Sequence, residues 1–311
     1  MKESLFAGPD KEMYLNETGS LDHCKVFPGI ELSVTHFRSE RITMHHELFS
    51  DVLEVNYCHK GRIGWDMRDG SSVFLGAGDL EIHTVDCCDD STITLPLGGY
   101  EGITVLFDMD ILENHVPALI GDAGLNGRLL LKKLCPGQAP LSLPASPEIS
   151  GIFSCLFEVP QMLMPSYYRI KTLELLLYLE QLRPSHVNRL TSYQSELTVL
   201  IREIHDFITA DLSKRFTIEE LSKKYLINTT TLKKIFKAVY EKPIASYMKE
   251  YRIRRAMLLL AQTDDSMADI AGQVGYVNQG KFTQAFKEQT QMLPTEYRKR
   301  CRLRKMDLLK G

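Results

Sequence analysis

The sequence predicts a multidomain α+β protein: an N-terminal β-barrel followed by helices, then an all-α C-terminal part. Three observations carry this. Short alternating segments parted by glycine turns fill residues 29–108. Helical periodicity takes over beyond Asp108, pauses over a polar stretch and returns near Glu196. Charge divides along the same line: residues 1–190 hold 15 Lys and Arg against 26 Asp and Glu, and residues 191–311 hold 22 against 14, so the net −3 conceals −11 followed by +8. With 311 residues the chain has room for two separate cores.

The first 28 residues read as an arm without the extended apolar region of a signal peptide. The longest apolar run, 173–179, is interrupted by Glu174 and stopped by Glu180, short of the roughly 20 residues that span a membrane. A cytoplasmic protein with no membrane partner is expected. Seven cysteines, at 24, 58, 87, 88, 135, 155 and 301, are odd in number and scattered, which fits reduced thiols better than a disulfide framework.

Within 29–108 the predicted strands are 30–37, 52–58, 62–67, 72–75, 79–83, 91–95 and 102–107, with turns at 60–61, 68–70, 76–79 and 97–99. Seven or eight short strands at this spacing suggest a small barrel or jelly roll. Its interior would offer an apolar or sugar-like molecule His36, Arg38, Tyr57, Trp65 and His83, chosen by residue type and strand position. His45, His46 and Glu47 invite a metal reading, but adjacent histidines on a strand point to opposite faces. A third ligand, His36, His59 or His83, would be needed, so no metal and no cofactor is assigned.

Residues 109–182 are predicted helical, in segments 111–120, 126–134, 147–164 and 166–182. The last carries a wide stripe of Ile170, Leu173, Leu176, Leu177 and Leu179, suited to a core or to a dimer seam. Residues 183–195, polar and opened by Pro184, read as a linker.

Beyond it lies an internal repeat of about 50 residues. Residues 216–225 align with 265–274, opening on Thr217-x-x-Glu220 and Ser266-x-x-Asp269, two capping-box patterns of which the second has the poorer partner. Short turns end at Asn228 and Asn278, each placed to cap the next helix. In the second helices Leu232 precedes Phe236 and Phe282 precedes Phe286 by four residues, burying one face and leaving the other polar. This is the layout of two helix-turn-helix units, 217–239 and 266–289, whose second helices suit a major groove of double-stranded DNA. The outward side chains are Thr229, Thr230, Thr231, Lys233, Lys234 and Lys237 in the first unit and Gln279, Lys281, Thr283, Gln284 and Lys287 in the second. Glutamine pairs with adenine, lysine donates to guanine, and threonine meets a thymine methyl or a phosphate.

The residues Ser266-x-x-x-Ile270-Ala271-x-x-Val274-Gly275-Tyr276, Phe282-x-x-x-Phe286-Lys287 and Pro294-x-x-Tyr297-Arg298 resemble the signature of the AraC/XylS family of bacterial transcription regulators. The resemblance covers about 100 residues, 196–300. Gln291-Met292-Leu293 departs from the family's usual Gly-x-x or Gly-x-Thr, and Val277-Asn278 from a common Phe-Ser or Phe-Asn. Gly280, inside the second reading helix, is unusual because glycine costs about 1 kcal/mol in a helix interior. The resemblance implies a cupin-like N-terminal barrel serving effector sensing, dimerisation or both. It also implies an effector-responsive activator, homodimeric, working with RNA polymerase and not an enzyme. The alternatives are a cupin-type metal-dependent enzyme fused to a DNA-binding domain, or a ligand-independent regulator controlled by a protein partner.

Between the units, 243–262 reads as one helix begun by proline, with Ile244, Tyr247, Met248, Tyr251, Leu258 and Leu259 at mostly helical spacing. Roughly 18 of these residues at about 1.5 Å each span about 27 Å, commensurate with the roughly 34 Å between successive major-groove faces. One chain would then read two grooves. Arg252, Arg254 and Arg255 on this helix are expected in structural contacts; the stretch 298–305 is expected to fray and to touch at most a phosphate, and 301–311 reads as a basic tail.

Overall fold

A computed structural model describes residues 19–44, 51–87, 91–136 and 140–308. The chain forms two compact units, 1–196 and 197–311. In the first unit, strands numbered in chain order build two sheets. One runs β1 (Gly19–Phe27), β2 (Ile30–Phe37), β9 (Tyr100–Asp108), β4 (Val52–Gly61), β7 (Leu80–Thr84) and β10 (Leu141–Leu143). The other runs β11 (Tyr193–Gln194), β6 (Ser71–Leu75), β5 (Ile63–Asp66), β8 (Ser91–Thr94) and β3 (Arg41–Met44). Among the described residues the sheets are hydrogen-bonded separately, so the β domain is closed by packing, as in a double-sheet jelly roll.

Strand alternation gives the first sheet two occupied faces. Leu32, Val55, Ile82 and Val105 pack with Ile152, Phe153, Leu175 and Leu176 of the helices. From the opposite face Phe37, Cys58 and Tyr100 meet Trp65, Val73, Leu75 and Ile93 of the second sheet. β2 and β4 are buried on both faces although their sequences mix apolar with polar residues, so polar side chains such as Ser33 and Asn56 lie between the sheets.

Some expectations are corrected. Residues 19–27 of the supposed arm form an edge strand paired with β2. Asp22, His23 and Lys25 make it look like loop, yet charged residues are what an edge strand tolerates. The helix expected over 111–120 is α1 (Met109–Asn114), begun when the Asp108 carboxylate accepts from the Ile111 N–H at 2.9 Å; after Pro117 a 3-10 segment follows, Ala118–Ala123. Next comes α2 (Gly127–Leu134), capped by Asn126. The single helix expected over 147–164 is α3 (Pro147–Phe153) and two 3-10 turns, Ser154–Phe157 and Gln161–Leu163, because Pro160 supplies no N–H and keeps its predecessor out of helical geometry.

In α4 (Met164–Gln181) the stripe divides: Leu173, Leu176 and Leu179 are buried, but Ile170 is 58% and Leu177 42% exposed. The polar stretch after it is not slack. Leu190 N–H donates to Ser142 of β10, Tyr193 and Gln194 pair with Ser72 and Ser71, and Ser195 N–H donates to the Gly70 carbonyl. These residues therefore stitch an edge strand of one sheet to an edge strand of the other.

The second unit is all helical: α5 (Ser195–Ala210), α6 (Ile218–Lys224), α7 (Thr229–Tyr240), α8 (Ile244–Gln262), α9 (Met267–Gln273), α10 (Gln279–Thr290) and α11 (Pro294–Leu308). Pro243 caps α8, whose 19 residues span about 28 Å. Ile244, Tyr247 and Met248 are buried near its start and Ile253, Ala256 and Leu260 towards its end. At 100° per residue these two groups face opposite ways, whereas Leu258, expected on the apolar face, is 48% exposed. The stretch expected to fray, 298–305, lies within α11, where Arg298 donates to the Asp265 carbonyl at 2.6 Å. No described helix is long and apolar enough to cross a membrane.

Candidate nucleic-acid interface

Each unit of the C-terminal repeat is built by the same local chemistry. Thr217 and Glu220 form a full capping box at the start of α6: Thr217 N–H donates to the Glu220 carboxylate at 2.7 Å and Glu220 N–H to the Thr217 hydroxyl at 3.1 Å. At α9 Asp269 is one methylene shorter. Its N–H reaches Ser266 Oγ, but its carboxylate accepts from the serine hydroxyl. Asn228 and Asn278 then cap the second helices, accepting from Thr231 N–H at 2.7 Å and Lys281 N–H at 2.9 Å.

The turns between the paired helices both need a left-handed residue. Leu226 supplies it in the first (φ 52°) and Gly275 in the second (φ 78°). In the second the reason for glycine is also steric, since a Cβ there would lie 2.1 Å from the Leu212 carbonyl oxygen. The Gly275 carbonyl in turn accepts two bonds from the Arg215 guanidinium, at 2.9 and 3.2 Å. Both second helices end on a left-handed residue, Glu241 (φ 63°) and Gln291 (φ 58°).

The cores lie on one side of each second helix: Leu232, Ile235, Phe236, Val239 and Tyr240 of α7, and Phe282, Ala285 and Phe286 of α10, are buried. The eleven residues expected to face DNA differ in exposure. Thr230, Lys233, Lys234, Lys237, Gln279, Lys281, Gln284 and Lys287 are exposed, while Thr229, Thr231 and Thr283 are half-buried. A Cβ at Gly280 would meet nothing closer than Asn278 Oδ1 at 3.5 Å, so no protein contact requires its missing side chain. Arg252 donates to the Lys214 carbonyl at 2.9 Å, and Arg254 lies over Tyr247 and Tyr251; both are structural, as expected.

The family of helix-turn-helix domains matches residues 221–300. An "HTH-type transcriptional activator RhaR" of Mannheimia succiniciproducens is 28% identical over 100 residues, 32% of this chain and 36% of that protein. An "HTH-type transcriptional regulator AlkR" of Acinetobacter baylyi is 31% identical over 128 residues, 40% of this chain and 41% of that one. The C-terminal unit is a helix-turn-helix domain of the AraC/XylS type. The chain aligns over only about two fifths of the length of these two relatives. A "Msm operon regulatory protein" of Streptococcus mutans aligns over more, 22% identical across 87% of this chain and 94% of that protein. The geometry explains one departure from the AraC/XylS signature: Gln291 occupies the left-handed helix-stop position that glycine usually fills.

In the N-terminal unit the five residues expected to meet a ligand are not brought together. Trp65 and His83 face one another between the sheets, ring centroids 6.0 Å apart. Tyr57 lies on the other face of its sheet, stacked on Phe153 at 4.6 Å. His36 and Arg38, with Lys60 and Glu101, line a separate open cavity of about 580 Å³. His45, His46 and Glu47 fall outside the described residues, and no described group of three His, Cys, Asp or Glu is placed to hold a metal.

Instead, strand register assembles a row that residue type alone did not reveal. Ser33, Thr104, Asn56, Glu81 and Ser142 are successive cross-strand partners on β2, β9, β4, β7 and β10, with His83 and Glu54 paired in the adjacent row. Thr104 donates to Asn56 at 2.6 Å and Ser142 to Glu81 at 3.3 Å. Glu81 is fully buried, and burial pushes its carboxyl well above the usual range. Among the described residues its Oε2, Ser33 Oγ and Trp65 Nε1 find no hydrogen-bond partner.

Proposed function

We propose that the chain is a sequence-specific DNA-binding transcriptional regulator that reads two successive major grooves with α7 and α10. One observation carries this: two second helices, alike in cap and core, each present a polar, lysine-bearing face from opposite sides of a single rigid helix. Titrating the full chain against duplexes selected from a random pool tests it. Lys233→Ala or Gln284→Ala should weaken the selected site by about 1–3 kcal/mol if the residue reads a base. Unchanged binding of the double variant at fixed salt would overturn the assignment of these helices.

The N-terminal unit is the regulatory part, an effector sensor rather than an enzyme. The name of one relative, a transcriptional activator, supports activation, with RNA polymerase as the partner that this reading calls for. The buried row from Ser33 to Ser142 favours a polar effector over an apolar one, because unpartnered buried groups are costly until something bonds them. A panel of polar metabolites that leaves the Tm of the chain unmoved speaks against a sensor.

The chain also acts as a homodimer through α4. Tyr167, Ile170 and Leu177, all exposed, repeat at intervals of three and seven along one line of the helix, the spacing of a coiled-coil seam. Ile170→Glu with Leu177→Glu should give a monomer in sedimentation equilibrium while far-UV circular dichroism stays unchanged. A dimer that survives the pair of charges excludes this face.

A further inference from the structure

Behind the outward side chains of α10 stand residues that decide how one of them is held. Gln284 Nε2 donates to Glu288 Oε1 at 3.0 Å, one turn further along the helix. Glu288 Oε2 accepts from Lys249 Nζ at 2.7 Å. Lys249 belongs to α8, so a continuous line of polar contacts runs from the central helix to the reading side chain. The Lys249 ammonium and the Gln284 amide together hold the Glu288 carboxyl below the usual range.

The first unit is built differently at the same places. Counted from the capping asparagines, Lys234 corresponds to Gln284 and Ala238 to Glu288. Helix α7 presents Lys233, Lys234 and Lys237 and contains no acidic residue, whereas α10 balances Lys281 and Lys287 with Glu288. The chemistry of the two readers differs accordingly. An ammonium is a compact charge with rotatable donors and needs no fixed direction. An amide discriminates only when its donor and its acceptor are aimed together, as at the N7 and N6 positions of adenine. A free glutamine loses rotamer freedom when it is so aimed. One already tied by an N–H has spent part of that entropy on folding.

We propose that Glu288, itself fixed by Lys249, is a positioning residue that orients the Gln284 amide. The second unit thereby discriminates bases, while the first contributes chiefly salt-dependent affinity through its lysines. The proposal rests on α10 being a base-contacting helix.

The test is selection from a random-sequence duplex pool by the purified full chain at fixed salt, with sequencing of the bound fraction. Glu288→Ala and Glu288→Gln remove the same charge, but only glutamine keeps an acceptor for Gln284. Glu288→Ala should reduce the preference at one base position of one half-site at least threefold, leaving the other half-site as it was, and Glu288→Gln should retain it. Lys234→Ala should leave the preferences intact and lower the salt slope by about 1. A wild-type profile for Glu288→Ala overturns the proposal. So does an equal loss in both Glu288 variants, which would make charge rather than orientation the cause. A wild-type chain that binds but selects no sequence removes the base-reading role of α10, and the proposal with it.

Discussion

Gly275→Ala should destabilise the second helix-turn-helix unit by about 3 kcal/mol or more. Two effects add. A left-handed backbone costs a residue with a Cβ roughly 1–2 kcal/mol, and overpacking against a well-packed neighbour costs about 1–3 kcal/mol. Here the neighbour is the Leu212 carbonyl, 2.1 Å from where the new Cβ would stand, and backbone yields less easily than a side chain. Relief by moving the turn would pull the Gly275 carbonyl away from Arg215, breaking both of its bonds. The matching change in the first unit, Leu226→Gly, should have the opposite sign and be small. It relieves the left-handed strain of a side chain that is 94% exposed, and returns about 0.5–1 kcal/mol as entropy of the unfolded chain. Urea titrations of the two variants settle the matter: an alanine variant as stable as wild type would show that the contact with Leu212 does not constrain the turn.

Phe286→Ala should cost about 3–5 kcal/mol, the usual loss for an aromatic ring in a closed core. The ring is fully buried, 5.7 Å from those of Phe282 and Tyr297, and shares a cluster with Ile253, Ala256, Leu260, Ile270 and Val274. That cluster lies against the later half of α8, while Tyr247, from its earlier half, packs against Phe236 and Tyr240 of the first unit. The damage should therefore be local. Amide hydrogen exchange is expected to accelerate across α9 and α10 while α6 and α7 stay protected. Uniform loss of protection across all four helices would mean that the two cores melt as one.

What could be read from the sequence was whatever local chemistry determines. The capping asparagines and the Leu232–Phe236 and Phe282–Phe286 pairs are decided within a few residues of themselves, and they stand where expected. Helix α8 was legible for the same reason, apart from Leu258, because its change of buried face depends on what packs on it from each side. Long-range register was not legible. Nothing near Tyr57 says that it faces the helices while Asn56 faces the second sheet; that follows from which strands lie on either side of β4. The polar row from Ser33 to Ser142 spans 109 positions of sequence and exists only through pairing. The Lys249–Glu288 pair is likewise invisible locally, although Glu288 stands four residues after Gln284, a spacing that brings helical side chains together.

The opposed buried faces of α8 have a consequence for how such a protein can change. One residue inserted between Met248 and Ile253 would turn everything beyond it by about 100° and advance it by about 1.5 Å. Ile253, Ala256 and Leu260 would carry the second core round with them. The phase between the two reading helices is thus written in the residue count of one helix, as a gear's timing is in its teeth. If the two helices read two grooves as proposed, binding sites with altered half-site spacing are reachable only by near-whole turns, three or four residues at a time, so single insertions in α8 act as frameshifts of geometry.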